Sequence, residues 1–251
     1  LGQNFSKALD IKFQDKEGEN KYVWQNSWGY STRSIGGMIL THGDDNGLKL
    51  PPKVAPIKVV ILPILGKKDD ELIKYSEKIR EMINSKTSSF PGSVDIDADP
   101  EKSFGWRIND AEIKGIPIRI EIGTRELSEK TVTLSFRHKD KQKRLARSNE
   151  IAEIIEEELV VIQNLMLNDS KNTLSNMTST AENYETFKKI MNTKKGFIKA
   201  FWCEDKDCEA KIKLDTKATT RCLPLDSKQQ SGKCVYCGKE SNSEWYFAQA
   251  Y

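Results

Sequence analysis

Four cysteines carry the clearest chemical pattern in the chain: Cys203, Cys208, Cys234 and Cys237, spaced C-x4-C-x25-C-x2-C. Two pairs of thiolates brought together make a closed tetrahedral site, which suits a structural zinc and leaves no coordination position open for a substrate. Two disulfides, or four unrelated thiols, are the other reading. The chain has no signal-peptide pattern, and a reducing compartment favours metal over disulfide. Cys222, in Arg-Cys-Leu-Pro, is expected to be a structural thiol in a loop.

A second concentration of chemistry is basic. Arg137, Lys139, Lys141, Lys143, Arg144 and Arg147 are accompanied by a single acid, Asp140. Such a run contacts phosphates, or it is a solvated hairpin edge or a helix lead-in, and charge by itself does not separate these. The net charge of +3 over 251 residues identifies no nucleic-acid partner on its own. With 37% apolar and 31% charged residues the composition is that of a globular protein. No apolar run reaches the roughly 18 residues needed to span a bilayer, so no membrane partner is expected. The chain opens at Leu1 inside a patterned segment, as a piece of a longer polypeptide would.

The elements that must position these residues fall into four zones. Residues 1–50 hold strand-like runs at Ile11–Phe13 and Tyr22–Trp24 around the turn Asp15-Lys16-Glu17-Gly18, then a helix from near Ser31 with Gly36 and Gly37 in its first turns. Pro51-Pro52-Lys53-Val54-Ala55-Pro56 reads as a stiff linker and a domain boundary. Residues 51–147 alternate: strand Ile57–Leu65, helix Asp69–Asn84, strand Val94–Ala98, a helical turn Asn109–Lys114, and strands Pro117–Ile122 and Thr131–Phe136. That β-α-β-α-β-β order predicts an α/β domain. Residues 148–251 begin with a long one-faced helix capped by Ser148. A polar stretch over 168–180, a helix near Asn183–Met191, a strand Gly196–Trp202 and the cysteine zone follow. Trp245-Tyr246-Phe247 reads as a strand completing that last unit.

Several segments in order resemble one known family. They are Leu1-Gly2-Gln3-Asn4-Phe5-Ser6, Gln25-Asn26-Ser27-Trp28-Gly29, Ser31-Thr32-Arg33, His42-Gly43-Asp44-Asp45-Asn46-Gly47-Leu48 with Leu50-Pro51-Pro52, Gly105-Trp106-Arg107, Glu112-Ile113-Lys114-Gly115 and Tyr246-Phe247-Ala248-Gln249-Ala250-Tyr251. Together with the cysteine spacing they are similar to the carboxy-terminal half of prolyl-tRNA synthetases of the archaeal and eukaryotic type. The resemblance implies an α/β fold in three parts. Residues 1–50 would be the end of a class II catalytic antiparallel-sheet domain, 51–147 an anticodon-binding α/β domain with a mixed sheet, and 148–251 a helical connector and small α+β zinc-binding domain.

The resemblance also implies roles. Arg33 would be the catalytic, ATP-binding arginine of the third class II motif, with Ser31 beside the ATP; on charge alone, an arginine in a first helical turn is a surface cation. Trp28 and Gly29 would line the proline pocket, with ordinary core packing as the alternative, and His42 would serve structurally in its turn. Arg107, Glu112, Lys114, Arg119 and Glu121, with Trp106 as a stacking ring, would read the two guanines at anticodon positions 35 and 36, whose edges call for cations and carboxylates. Arg119 and Glu121 could equally pair on one strand face. Tyr251 would reach back to the catalytic centre. Implied partners are tRNA(Pro), proline and ATP with Mg, in a cytoplasmic homodimer formed through the catalytic domain, without DNA. The other catalytic motifs would precede Leu1, so this chain by itself is expected to be inactive. The competing functions are a non-catalytic synthetase-derived tRNA-binding module, which would have no reason to keep Ser31-Thr32-Arg33, and a zinc-ribbon interaction protein.

Overall fold

A computed structural model describes residues 1–66, 69–86, 93–138 and 142–250. At the amino-terminal end lie helix α1 (Asn4–Ala8), the antiparallel hairpin β1 (Lys12–Gln14) and β2 (Asn20–Tyr22), and helix α2 (Arg33–His42). The Asp15 carboxylate closes the hairpin by accepting the backbone N–H groups of Glu17 and Glu19 at 3.0 and 2.8 Å, an Asx-type turn. None of the residues of α2 is buried. Phe5, Leu9, Phe13, Trp24, Trp28, Tyr30, Ile35 and Leu40 are all exposed, so this segment presents an apolar face instead of enclosing a core.

The middle of the chain folds as β3 (Ile57–Pro63), α3 (Asp69–Lys86), β4 (Ser93–Ile96), α4 (Phe104–Ile113), β5 (Ile118–Ile122), α5 (Thr124–Glu129), β6 (Thr131–Phe136) and β7 (Lys143–Arg147). The five strands form one mixed sheet in the order β4-β3-β5-β6-β7, parallel on the first three and antiparallel on the last. The mixed sheet agrees with the fold expected. Three local readings need correction. α4 is a full helix from Phe104, capped by Ser103 Oγ accepting the Trp106 N–H, where only a turn at Asn109–Lys114 was expected. α5 was not expected, and no strand was assigned to 143–147, where β7 makes much of the basic run the hairpin edge that was one of its readings. Lys139, Asp140 and Lys141 lie outside the described residues.

Alternation along the strands gives the sheet two unlike faces. Val59, Ile61, Ile118, Ile120, Ile122, Val132, Leu134 and Ala146 point into one core with Leu72, Ile79 and Ile83 of α3. The next helix, α6 (Ile151–Asn176), seals the same core with Ile151, Ile155, Leu159 and Ile162. On the opposite face, Val60 and Leu62 of β3 are covered by α4 through Ala111, Phe104 and Ile108. Over β5, β6 and β7 that face is polar. The cap of α6 is Glu150 rather than Ser148, and the helix runs on through most of the polar stretch over 168–180, since 168–176 contains no glycine or proline to stop it.

The remaining elements are β8 (Thr178–Thr180), α7 (Tyr184–Asn192), β9 (Phe197–Phe201), α8 (Lys206–Thr216), β10 (Ala218–Cys222), β11 (Gly232–Lys233), β12 (Glu240–Ser241) and β13 (Glu244–Gln249). A four-stranded sheet has the order β10-β13-β9-β8, and β11 and β12 form a separate two-stranded ribbon. Its core is aromatic: Phe247 meets Phe187 edge-on at 5.2 Å between ring centroids, and Trp202 meets Trp245 at 5.1 Å and 90°. Cys222, expected in a loop, is the last residue of β10 and is exposed.

Candidate functional site

The open sheet face gathers charge by strand register. Arg119 lies opposite Ser135, which lies opposite Lys143, and Glu121 lies opposite Thr133, which lies opposite Leu145. Arg119 Nε donates to Glu121 Oε1 at 3.2 Å and its Nη1 to Glu112 Oε1 at 3.1 Å. Ser135 Oγ donates to Glu121 Oε1 at 3.1 Å, and Lys143 Nζ to Glu121 Oε2 at 2.5 Å. Between this cluster and α4 lies a cavity of about 240 Å³ lined by Ile108, Ala111, Glu112, Arg119, Ser135 and Lys143, among others. Burial pushes the Glu121 carboxyl up, but the Lys143 and Arg119 cations and the Ser135 hydroxyl outweigh it and hold Glu121 below the usual carboxylate range.

The side chains divide by exposure. Glu121 is only 6% exposed and spends both oxygens on its neighbours, whereas Glu112 is 39% and Lys143 55% exposed at the cavity rim. Glu121 therefore holds cations in place, and Glu112 and Lys143 are the charged groups of the cluster most exposed at the rim, joined to each other through Arg119 and Glu121. The pairing of Arg119 with Glu121 occurs and does not exclude a binding role, because Arg119 Nη1 reaches the rim through Glu112.

Two other expected anticodon residues are placed elsewhere. Arg107 is 2% exposed, with Nη1 on Asp97 O at 2.5 Å and Nη2 on Pro63 O at 3.0 Å. It ties α4 to the chain leaving β3 and β4, and its guanidinium lies away from the open sheet face and its cavity. Lys114 pairs with Asp110 at 2.6 Å on the helix end, outside the cavity. Trp106, with Lys102 Nζ 4.3 Å from its ring centroid, is also outside it. Lys143 and Ser135 were not singled out for this site; only the basic run containing Lys143 hinted at it.

In the amino-terminal segment, Arg33 is the first residue of α2, and Ser31 accepts Ser34 Oγ on its carbonyl at 2.8 Å. Both are exposed, as is Gly29, where an added Cβ would meet no heavy atom within 4 Å. Trp28 is 95% exposed, so core packing within the described residues is not its role. Tyr251 lies outside the described residues.

The four cysteines converge. Cys203 follows β9, Cys208 sits in the first turn of α8, and Cys234 and Cys237 occupy the turn between β11 and β12. The Asp205 carboxylate caps α8 on Asp207 N at 2.8 Å, and Gly238 N donates to Cys234 O at 2.9 Å to fold the second knuckle. Val235 N on Phe201 O at 2.9 Å docks that knuckle against β9. All four sulfurs lie within 4.8 Å of one another, and those of Cys203 and Cys237 are 3.6 Å apart. A tetrahedral zinc with bonds of about 2.3 Å sets its sulfurs about 3.8 Å apart, so this thiol set is placed to hold one metal ion. Cys222 is not part of it.

Residues 58–157 match the family described as anticodon binding domain, and residues 184–251 match the one described as prolyl-tRNA synthetase, C-terminal. Residues 58–157, with their mixed sheet, therefore fold as an anticodon-binding domain. The chain corresponds to the carboxy-terminal half of a prolyl-tRNA synthetase. It is 42% identical over 254 residues to the proline–tRNA ligase of Natranaerobius thermophilus and 42% identical over 251 residues to proline–tRNA ligase 2 of Clostridioides difficile. All of this chain is covered in both, and 51% of each relative, so the chain spans about half their length. The crystal structure of prolyl-tRNA synthetase from Cryptosporidium parvum complexed with L-proline and AMP superimposes with a TM-score of 0.87 at 34% identity, over 100% of this chain and 53% of that one. No described helix is long and apolar enough to cross a membrane.

Proposed function

We propose that this chain belongs to a proline–tRNA ligase, which activates proline with ATP and transfers it to tRNA(Pro). The observation that carries the reading is the Glu112–Arg119–Lys143 rim, which lies within the residues matched to an anticodon-binding domain. Guanine offers O6 and N7 to a cation and N1 and N2 to a carboxylate. Arg119 and Lys143 supply the first kind of partner, Glu112 the second, and the Glu121 carboxylate keeps the two cations oriented before RNA arrives. Arg107 and Lys114 support this surface from outside.

In the amino-terminal segment the proposal assigns Arg33 to the ATP phosphates, with Ser31 adjacent. Attack of the proline carboxylate on the α-phosphate needs a fixed cation on the developing charge and no general base. Magnesium, when bound with ATP, would neutralise phosphate charge. Trp28 and Gly29 would border the proline, and their exposure, with that of α2, fits a surface completed by the other half of the enzyme, which would also carry the homodimer contact. Tyr251 would approach the same centre. The family's setting would be the cytoplasm. The cysteine site would take zinc, which when bound cross-links β9, α8 and the β11–β12 ribbon where the core is small.

The test is the affinity of this chain for tRNA(Pro) and for the same tRNA with G35 and G36 replaced, at one salt concentration. A loss of about 1–3 kcal/mol per replaced base is expected. Equal affinity for the two would reduce the face to electrostatic attraction and remove the anticodon assignment.

A further inference from the structure

Arg137 stands between two parts of the chain that share no sheet. It follows β6, where its backbone N–H bonds Pro117 O at 3.0 Å, and its side chain is 7% exposed. Nε donates to the carbonyl of Glu112 at 3.3 Å, while Nη1 and Nη2 donate to Asp44 Oδ2 and Oδ1 at 3.0 and 2.5 Å. The guanidinium therefore forks onto a carboxylate just past α2 and, with its third nitrogen, holds the last turn of α4.

Asp44 is itself held. Lys49 Nζ lies 2.8 Å from its Oδ2, Asn46 N donates to Oδ1 at 2.9 Å, and the backbones of Asp44 and Gly47 bond each other at 3.0 and 3.1 Å. The turn it caps is pressed against α4. Leu48 N donates to Ile113 O at 3.0 Å and Leu50 N to Gly115 O at 3.2 Å. Gly47, at φ +128°, approaches so closely that a Cβ there would fall 2.6 Å from Ile113 Cα. The same end of α4 carries Glu112, whose side chain takes Arg119 at the cavity rim. Arg137 also forms part of the cavity wall.

We infer that Arg137 and Asp44 are positioning residues for base recognition: the bidentate pair fixes the Glu112 end of α4 at its spacing from Arg119 and Lys143. Asp44 lies before the segment matched to the anticodon-binding domain, so specificity in that domain depends on a carboxylate outside it. The inference rests on the anticodon reading proposed above.

The experiment measures the affinity ratio between tRNA(Pro) and its G35/G36-replaced form, together with the salt dependence of each, for the unaltered chain, Asp44→Ala, Asp44→Asn, Arg137→Lys and the exchange pair Asp44→Arg with Arg137→Asp. In Asp44→Ala the ratio is expected to fall about fivefold, the size of one lost coupling between contacting residues. Affinity for the replaced tRNA and its salt slope should stay unchanged. Arg137→Lys, which keeps the charge and loses the fork, should behave alike, and the exchange pair should recover part of the ratio. If Asp44→Ala unfolds, Asp44→Asn, which keeps the shape, provides the same reading. A ratio within about twofold of the unaltered chain, with only the melting temperature lowered, would make the pair merely structural and overturn the inference. An unaltered chain that shows no ratio overturns the anticodon reading itself, which separates the two failures.

Discussion

The sulfur atoms of Cys203 and Cys237 lie 3.6 Å apart, although one belongs to the end of a sheet strand and the other to the tip of a two-stranded ribbon. Without a shared ion, four thiols at this spacing crowd one another: burial and the neighbouring thiols push Cys208 up, while at Cys237 burial is outweighed by the Lys239 backbone N–H and the adjacent thiols, leaving it at about 7. A divalent metal, when bound, would resolve the crowding by binding the thiolates directly.

Metal content should be one ion per chain, and Cys234→Ser should abolish most of it. Chelation should then release the buried indole of Trp202 and the half-buried one of Trp245, read as a red-shifted fluorescence and a loss of near-ultraviolet dichroism. Unchanged spectra after complete metal removal would show that the knuckles are stable by themselves.

Phe247 is fully buried at the meeting of Phe187 and Trp202. Its truncation to alanine should cost about 3–5 kcal/mol, as large-to-small changes in cores do, in the urea transition of the unit that holds β9, β10 and β13. A loss below about 1 kcal/mol would mean that this core rearranges around the vacancy.

Arg107→Ala separates burial from recognition. It leaves the carbonyls of Asp97 and Pro63 without their guanidinium partner, for about 1–3 kcal/mol of destabilisation, while the ratio of affinities for the two tRNAs should hold. A selective loss of anticodon discrimination at full stability would put Arg107 back among the base-reading residues.

Two carboxylates tie the stability of the fold to acid. Arg137 holds Asp44 well below the usual carboxylate range, burial working against it and Lys49 and the Asn46 N–H helping. Glu121 is depressed in the same sense. Carboxyls lowered by folding contribute stability that is complete above their unfolded values, about 3.9 for Asp and 4.3 for Glu. That stability drains away as the pH falls below them. Melting temperature should therefore drop steeply below about pH 4, and the slope should be shallower in Asp44→Asn. An identical slope in that variant would assign acid sensitivity to other groups.

The parts of the fold that were legible in the sequence are those whose apolar pattern leaves one solution. Val59 to Leu62 form a continuous apolar run that only a strand covered on both faces accommodates, and Leu72, Ile79 and Ile83 repeat at helical spacing on α3. α5 escaped because Leu127 is the only large apolar side chain in Thr124–Glu129, and a helix that short has no period to detect. β7 stayed one alternative among several for the basic run, because an edge strand with one polar face reads as a charge run. At the candidate site, the types of Arg119 and Glu112 announced their chemistry. Arg107 has the same chemistry and the opposite location, and burial of a charge depends on partners such as Pro63 O that adjoin it only in three dimensions. The cysteine spacing was more informative, because each pair of ligands is local and needs only one long-range closure.

The order β10-β13-β9-β8 has a kinetic consequence. Strand β13 must enter between β9 and β10, two strands made earlier, so β10 has no partner in this sheet, and β9 has only β8, until Glu244–Gln249 has been synthesised. Pairing of Trp245 with Ala200 closes a long loop before any contact rewards it, which makes this sheet slow to assemble. Meanwhile Phe197–Phe201 waits with an open strand edge. Capture of the cysteines at 203, 208, 234 and 237 precedes β13 along the chain; an ion gripped there would shorten the remaining search, making metal supply a determinant of how much newly made chain escapes aggregation.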